Sequence, residues 1–334
     1  MKVSVIMTVL NEGDALRPLL DSLTRQTRPP DEVVIADGGS TDDTLAVMRE
    51  YEGRLPLHVI ETPGANIAQG RNAAIRVAAG EVIASTDAGV RCEPDWLEKL
   101  IGPLTRGPKP APAAEAGEVM AVAGFFHSDP ATPFETALGA TVLPEARDVN
   151  PATYLPSSRS AAFRKAAWEA VSGYPEWLDF SEDVVFDLRL RKKFGPFVFV
   201  PEAVVHFRPR GSLRAFARQY YQYARGDGKA GLFPRLHAVR YFTYLVAAPL
   251  LSFAALAVSP WLWLVGGLAG LAYIRLPLCR AWPRLTGLAP LEALRLLITI
   301  PVIRVTGDAA KMLGYLAGTA WRLRLRQNFG RTAE

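Results

Sequence analysis

Cysteine is nearly missing from this chain: Cys92 and Cys279 are the only two among 334 residues. One falls in a stretch of mixed polarity and the other beside a long apolar run. Neither a disulfide framework nor a cysteine metal centre is expected, and a reducing cytoplasm fits. The loops that end the early apolar runs lack a phosphate-binding glycine signature. None shows Gly-x-Gly-x-x-Gly or Gly-Lys-Ser/Thr, and Gly38-Gly39 reads only as a turn, which disfavours a dinucleotide dehydrogenase or an ATPase. The opening MKVSVIMTVLNEGD lacks the long apolar stretch and cleavage site of a secretory leader. Its short run reads as a strand, so the N-terminal part is expected to stay where it is made.

Charge is absent from Tyr241 to Ile274, about 34 positions broken only by Ser259-Pro260. Arg235 and Arg240 precede this stretch, and Arg275, Arg280 and Arg284 follow it. Two membrane helices, about 241–258 and 261–278, paired as a hairpin with both ends cytoplasmic, are the expectation. Acidic residues are scarce nearby: residues 201–334 hold 18 basic and 5 acidic side chains, against 20 and 28 in residues 1–200. Because the basic half is also the apolar half, the expected partner is membrane lipid with an anionic surface, and not nucleic acid. A third segment, Leu291 to Trp321, carries Glu292, Arg295, Arg304, Asp308 and Lys311 around an apolar core. It reads either as an interfacial amphipathic helix or as a third span, followed by a basic tail.

The first half is organised differently. Strand-like runs at Val3–Val9, Glu32–Ala36, Leu57–Ile60 and Val82–Ser85 alternate with helical patterns at Ala15–Thr24, Thr44–Tyr51 and Ile67–Ala78. That alternation predicts an α/β fold with a mostly parallel sheet flanked by helices. Pro103 to Gly117 reads as a loop, after which Val119–Phe126 resumes as a strand. Ser157–Gly173 suggests a short strand and a helix, Glu182–Phe194 an amphipathic helix, and Phe197–Phe207 an extended segment. We therefore expect one domain over 1–230 and a membrane region over 231–334.

In an open α/β sheet, ligands sit beyond the carboxyl ends of the strands. The notable polar residues collect there: Thr8, Asn11 and Glu12 after the first run, Asp37 after the second and Asp87 after the fourth. Each also has a plainer reading. Asp37 suits a turn that caps the next helix, and Arg71 suits a solvated helix surface. Ser181-Glu182-Asp183 suits a helix start, where acids favour the macrodipole and the dipole lowers a carboxylate's pKa.

Five stretches in order, SVIMTVLNEGDALRPLLDSL, DEVVIADGGSTDDT, the arginine of GRNAAI, STDAG and SEDVVFDLRLRKKFG, resemble the family 2 glycosyltransferases of GT-A fold over about residues 1 to 230. The resemblance implies a nucleotide-diphospho-sugar donor whose base and ribose are held by Thr8, Asn11, Glu12 and Asp37. It places Arg71 near the diphosphate. Asp87 stands where the family carries Asp-x-Asp, whose carboxylates grip Mg²⁺ or Mn²⁺, although Gly89 replaces the second aspartate; His206 is a candidate late ligand of the same ion. Glu182 and Asp183 match the catalytic pair, with Asp183 as the base that deprotonates the acceptor hydroxyl.

Gln222-Tyr223-Ala224-Arg225 resembles a degraded Gln-x-x-Arg-Trp with Gly226 in place of the tryptophan, which speaks against processive synthesis. Arg218, Gln222 and Arg225 are candidate contacts to a phosphate or the acceptor. Equally, the arginines and Tyr220, Tyr221 and Tyr223 suit an interfacial helix. The expectation is thus an inverting, inner-membrane glycosyltransferase with its catalytic domain in the cytoplasm, acting on a lipid-linked or cell-envelope glycan acceptor. Two rivals remain: a catalytically weakened sugar-nucleotide-binding membrane protein, and a nucleotidyltransferase of GT-A topology.

Overall fold

The four N-terminal apolar runs form strands β1 (Val3–Val9), β2 (Glu32–Asp37), β3 (Leu57–Glu61) and β4 (Val82–Ser85) in the computed structural model, which describes residues 1–105, 118–285, 287 and 289–330. Helices α1 (Arg17–Thr24), α2 (Thr44–Arg49) and α3 (Ile67–Val77) connect them. β1, β2 and β4 are buried on both faces, as strands covered by helices must be, and their near-continuous Val, Ile and Ala content follows from that. The remaining elements of this region are β5 (Val90–Cys92), α4 (Trp96–Thr105), β6 (Ala121–Ser128), β7 (Ala161–Arg164), α6 (Lys165–Ala170), α7 (Glu182–Phe194) and β8 (Val198–Phe207). Between β6 and β7 lies α5 (Pro133–Val142). Most of the expected Pro103–Gly117 loop lies outside the described residues.

One eight-stranded sheet results, in the order β3-β2-β1-β4-β7-β6-β8-β5. β1 to β4 are parallel; β7 runs antiparallel between β4 and β6, and β5 antiparallel beside β8. β6 and β8 pair in parallel across the intervening chain. The sheet is therefore mixed and mostly parallel, as expected, but neither β5 nor these non-local pairings had been placed. Phe163 and Phe186 pack edge to face in its core together with Ile6, Val34 and Ile83.

The chain divides into two compact units. The first is Met1–Asp129 with Glu145–Arg208, and the second is Pro130–Pro144 with Pro209–Glu334. The expected boundary at 230 put residues 209–230 with the sheet; here α8 (Leu213–Ala230) belongs to the second unit, as does α5. The other helices of that unit are α9 (Pro234–Phe242), α10 (Ala248–Ala257), α11 (Leu262–Leu285) and α12 (Pro290–Gly330). Its core gathers Leu138, Phe216, Ala281, Leu296, Ile300 and Ile303.

Glycines set the close approach of α8 to α12. A Cβ on Gly314 would stand 2.1 Å from the carbonyl oxygen of Tyr221, one on Gly318 2.1 Å from that of Arg225, and one on Gly228 2.4 Å from that of Tyr315. Among the described residues two helices are long and apolar enough to cross a membrane: Pro234–Ala257, which runs through a π turn at Thr243–Ala247, and Leu262–Leu285, with mean hydropathy 1.5 and 1.6. Their large apolar side chains face outward, Leu256 at 79% and Leu268 at 67% exposure. α12 is a single helix reaching past the expected Leu291–Trp321, with Leu296, Ile300, Ile303 and Ala310 buried.

Candidate active site

The chain runs from β1 to β2 and β3 on one side, then returns to β4 on the other, so the sheet's topological switch point lies between β1 and β4. A crevice opens at such a point beyond the strand ends. Two loops there are stitched together. Asn11, at φ 54°, donates its backbone N–H to Ser40 Oγ at 2.9 Å, and its Oδ1 accepts from the Thr41 N–H at 2.8 Å. Asn is one of the few side chains that tolerate this left-handed backbone. The N–H of Glu12 donates to Thr44 Oγ1 at 2.9 Å. Asp37 is buried, and its carboxylate accepts from the N–H groups of Gly39 and Ser40 and from Ser40 Oγ, so its turn-forming reading describes what it does in this structure. Thr8 lies near the end of β1, where Gly70 of α3 approaches so closely that an added Cβ would meet the threonine methyl at 2.8 Å.

Arg71 is the centre of the arrangement. Asn66 and Gln69 form a reciprocal capping box that starts α3, and Arg71 leaves its first turns with its side chain 5% exposed. Its Nη1 donates to Glu182 Oε1 at 2.7 Å and its Nη2 to Asp87 Oδ1 at 2.9 Å. The ring of Tyr174 lies 5.5 Å from its guanidinium carbon. Burial opposes the charge, but Asp87, Glu182 and Asp183 together hold the guanidinium firmly protonated. The neighbouring Asn72 pins the 173–176 loop: it donates to Tyr174 O and Glu176 Oε1, and accepts from Trp168 Nε1 and the Tyr174 N–H. An arginine in a buried helix turn is thus no surface charge.

Glu182 and Asp183 open α7. Ser181 precedes them at the N-cap position with φ 63°, a left-handed conformation, so the helix starts where the sequence placed it with both acids in its first turn, although the serine side chain makes no cap to the helix. Burial and the adjacent Asp183 push the Glu182 carboxyl up to about 7, even against Arg71, so desolvation outweighs the dipole effect expected at this helix start. One turn on, the buried Asp187 is raised well above the ordinary carboxyl range, by burial first and by Asp183 next. Asp183 itself is half-buried, and its Oδ1 accepts the N–H of Val184 at 2.8 Å. A partly exposed carboxylate beside a deep Arg-carboxylate cluster can accept a proton from a ligand hydroxyl without leaving the electrostatic frame of that cluster.

Arg159 belongs to this cluster and was missed in the sequence. β4 and β7 run antiparallel with Ser85 opposite Ala161, so the residues following Ser85 and those preceding Ala161 meet at one end of the sheet. Arg159 Nε lies 3.7 Å from Asp87 Oδ2, and its Nη1 donates to Ser157 Oγ at 3.0 Å. Its guanidinium lies 4.5 Å from the centre of the Phe207 ring. The signal was available only as an arginine in SSRS shortly before a strand; its relevance depends on which strand lies beside β4.

A resident Mg²⁺ or Mn²⁺ requires several hard oxygens that converge. Asp87 has Arg71 on Oδ1 and Arg159 near Oδ2, and Gly89 stands where a second aspartate is expected. Among the described residues no three His, Cys, Asp or Glu side chains gather to hold an ion. Both carboxylate oxygens of Asp87 thus have a guanidinium near them, and an ion bound there would have to displace Arg71 and Arg159. The donor set does not fit the expected metal. His206, the proposed second ligand, instead pairs through Nε2 with Glu93 Oε1 at 2.5 Å; it sits on β8 opposite Arg91 of β5. Arg218, Gln222 and Arg225 lie on α8 of the second unit, Arg218 exposed and the other two half-buried.

Two family models match the chain: Glycosyl transferase family 2 over residues 4–142, and Glycosyl transferase family group 2 over residues 148–303. The validoxylamine A glucosyltransferase of Streptomyces hygroscopicus subsp. limoneus is 36% identical over 113 residues, 33% of this chain and 25% of the relative, so the match spans about a quarter of that protein's length. The succinoglycan biosynthesis protein ExoA of Rhizobium meliloti is 28% identical over 271 residues, covering 77% of this chain and 79% of the relative. Among solved structures, the mannosyltransferase PcManGT of Pyrobaculum calidifontis, in complex with GDP-Man and Mn²⁺, superposes with TM-score 0.63 at 24% identity, over 93% of this chain and 87% of that one. S. aureus TarS 1-349 in complex with UDP-GlcNAc gives TM-score 0.53 at 16% identity, over 98% and 92%. At such identities the likeness is one of fold.

Proposed function

The chain belongs to the family 2 glycosyltransferases and has their GT-A fold, and from that membership we propose that it is an inverting enzyme moving a sugar from a nucleotide-diphospho-sugar to a lipid-linked or cell-envelope glycan at the cytoplasmic face of the inner membrane. The observation that carries the reading is Arg71, buried at the sheet's switch point and bridging Asp87 and Glu182 with Asp183 beside them. In this reading the crevice beyond β1 and β4 receives the donor, with its nucleoside against the Thr8, Asn11, Glu12 and Asp37 loops. Asp183 takes the proton from the acceptor hydroxyl as that oxygen attacks the anomeric carbon. The bond from that carbon to the diphosphate oxygen breaks, its electron pair leaves with the nucleoside diphosphate, and attack from the opposite face inverts the carbon.

Relatives named for succinoglycan biosynthesis, O-antigen chain rhamnosyl transfer and poly(ribitol-phosphate) glycosylation support an envelope glycan as acceptor. Two apolar helices flanked by arginines support a membrane position with both ends cytoplasmic. Restricting the enzyme to the surface where a lipid-linked acceptor resides raises their effective concentration. Gln222, Arg225 and Arg218, on α8, are proposed as contacts to a phosphate or to the acceptor.

A positioned general base contributes roughly 10²- to 10⁴-fold to rate. Asp183→Asn is therefore expected to lower transfer from a screened panel of radiolabelled nucleotide-sugars by at least about a hundredfold while donor binding stays within about twofold. Transfer that survives the substitution undamaged removes Asp183 from the chemistry. A weakened binder would instead show negligible transfer in the wild type as well.

A further inference from the structure

The fold brings two cations of different character to one carboxylate. Arg71 is buried and held on both sides, by Glu182 and Asp87, so its position is set before any ligand arrives. Arg159 is 24% exposed, braced by Ser157 Oγ and the Phe207 ring, and its approach to Asp87 at 3.7 Å is an ion pair longer than a hydrogen bond. A long ion pair is readily exchanged for a shorter charge-assisted one. Loops on adjacent antiparallel strands deliver both residues of that pair to the switch-point end of the sheet, so they face the place where a donor's diphosphate would lie.

When the sugar leaves, the departing diphosphate gains one negative charge, and something must stabilise it. Guanidinium forks match phosphate oxygens bidentately and remain charged at any working pH. Resting on the transferase reading above, we infer that Arg159, with Arg71 fixed behind it, holds the donor's diphosphate directly, and that donor binding needs no divalent ion. Asp87 is then the residue that orients the two arginines, and Gly89 stands where no ligand is required.

The test is calorimetric titration of the full chain in detergent with uridine, guanosine and thymidine mono- and diphosphates, first in EDTA and then with excess Mg²⁺ or Mn²⁺. The expected result is that one base binds in EDTA, the diphosphate more tightly than the monophosphate, and that either ion changes the diphosphate affinity by less than about threefold. Arg159→Ala should weaken the diphosphate by about 10- to 100-fold and leave the monophosphate within about threefold, with Arg159→Lys intermediate. Retained monophosphate binding shows that the variant is folded, and if the alanine variant loses it, the lysine variant decides on the same ratio. Diphosphate binding that appears only with the ion, or an Arg159 variant whose diphosphate preference is intact, overturns the inference and leaves the transferase reading standing. Failure of every nucleotide to bind with or without ion overturns both.

Discussion

Burial decides how Glu182 behaves. Its carboxyl lies against Arg71, which by itself would keep it ionised, yet desolvation and the charge of Asp183 raise it to about 7. The folded protein therefore holds a proton on Glu182 more tightly than the unfolded chain, whose glutamate titrates near 4.5. A group raised in this way contributes stability that is fully present below about pH 4.5 and is lost as pH rises through about 7. Glu182→Gln, which mimics the neutral form, should remove that contribution's pH dependence. Melting curves of the two proteins between pH 5 and 8 are expected to diverge, the wild type losing on the order of 1–3 kcal/mol more than the variant across that window; parallel curves would show that Glu182 stays ionised. Arg71 and Asp183 were legible at this scale because they sit inside ordered motifs. Arg159 was not, since a single arginine among serines has no local feature that distinguishes it from a surface charge.

Most element boundaries follow from local signals. α7 begins and ends at Glu182 and Phe194, as its pattern of apolar residues among charges predicts, and β1 to β4 lie within a residue of their apolar runs. The pairing of elements is another matter. The compact units put α8 on the other side of the expected division at 230, because its amphipathic pattern says only that one face is buried, not against what; the partner is α12, some 90 residues on and reached through Gly314 and Gly318. Those two residues form the small-xxx-small spacing that lets helix backbones touch. Gly314→Leu is expected to separate α8 from α12 at a cost of at least about 3 kcal/mol, since the added side chain meets backbone that cannot yield. A pair of cysteines placed across the two helices should then lose its disulfide crosslinking relative to the parent; unchanged crosslinking would mean that the helices meet elsewhere.

At the scale of the whole chain, charge and apolar exposure point the same way. Residues 201–334 are strongly basic, and within them Pro234–Ala257 and Leu262–Leu285 expose large apolar side chains along their length. In water such a surface is an aggregation liability; in a bilayer it is ordinary. Placing both ends of this hairpin in the cytoplasm puts the Ser259-Pro260 turn on the other side. Ser259→Cys in a Cys279→Ser background should accordingly react with a membrane-impermeant maleimide in intact cells, Cys92 being buried with its thiol pushed up to about 12. Labelling only after lysis would reverse the orientation or remove the spans.

By itself, the sequence determined the α/β alternation, the apolar hairpin and the motif carboxylates, because periodicity, start and stop signals and charge-free runs are written in neighbouring residues. Tertiary structure alone decided that β7 lies beside β4, so that Arg159 meets Asp87, and that α8 meets α12 through glycines. The physical reason is that strand order and helix contact are chosen by the burial of whole faces, a property of the folded chain summed over residues far apart.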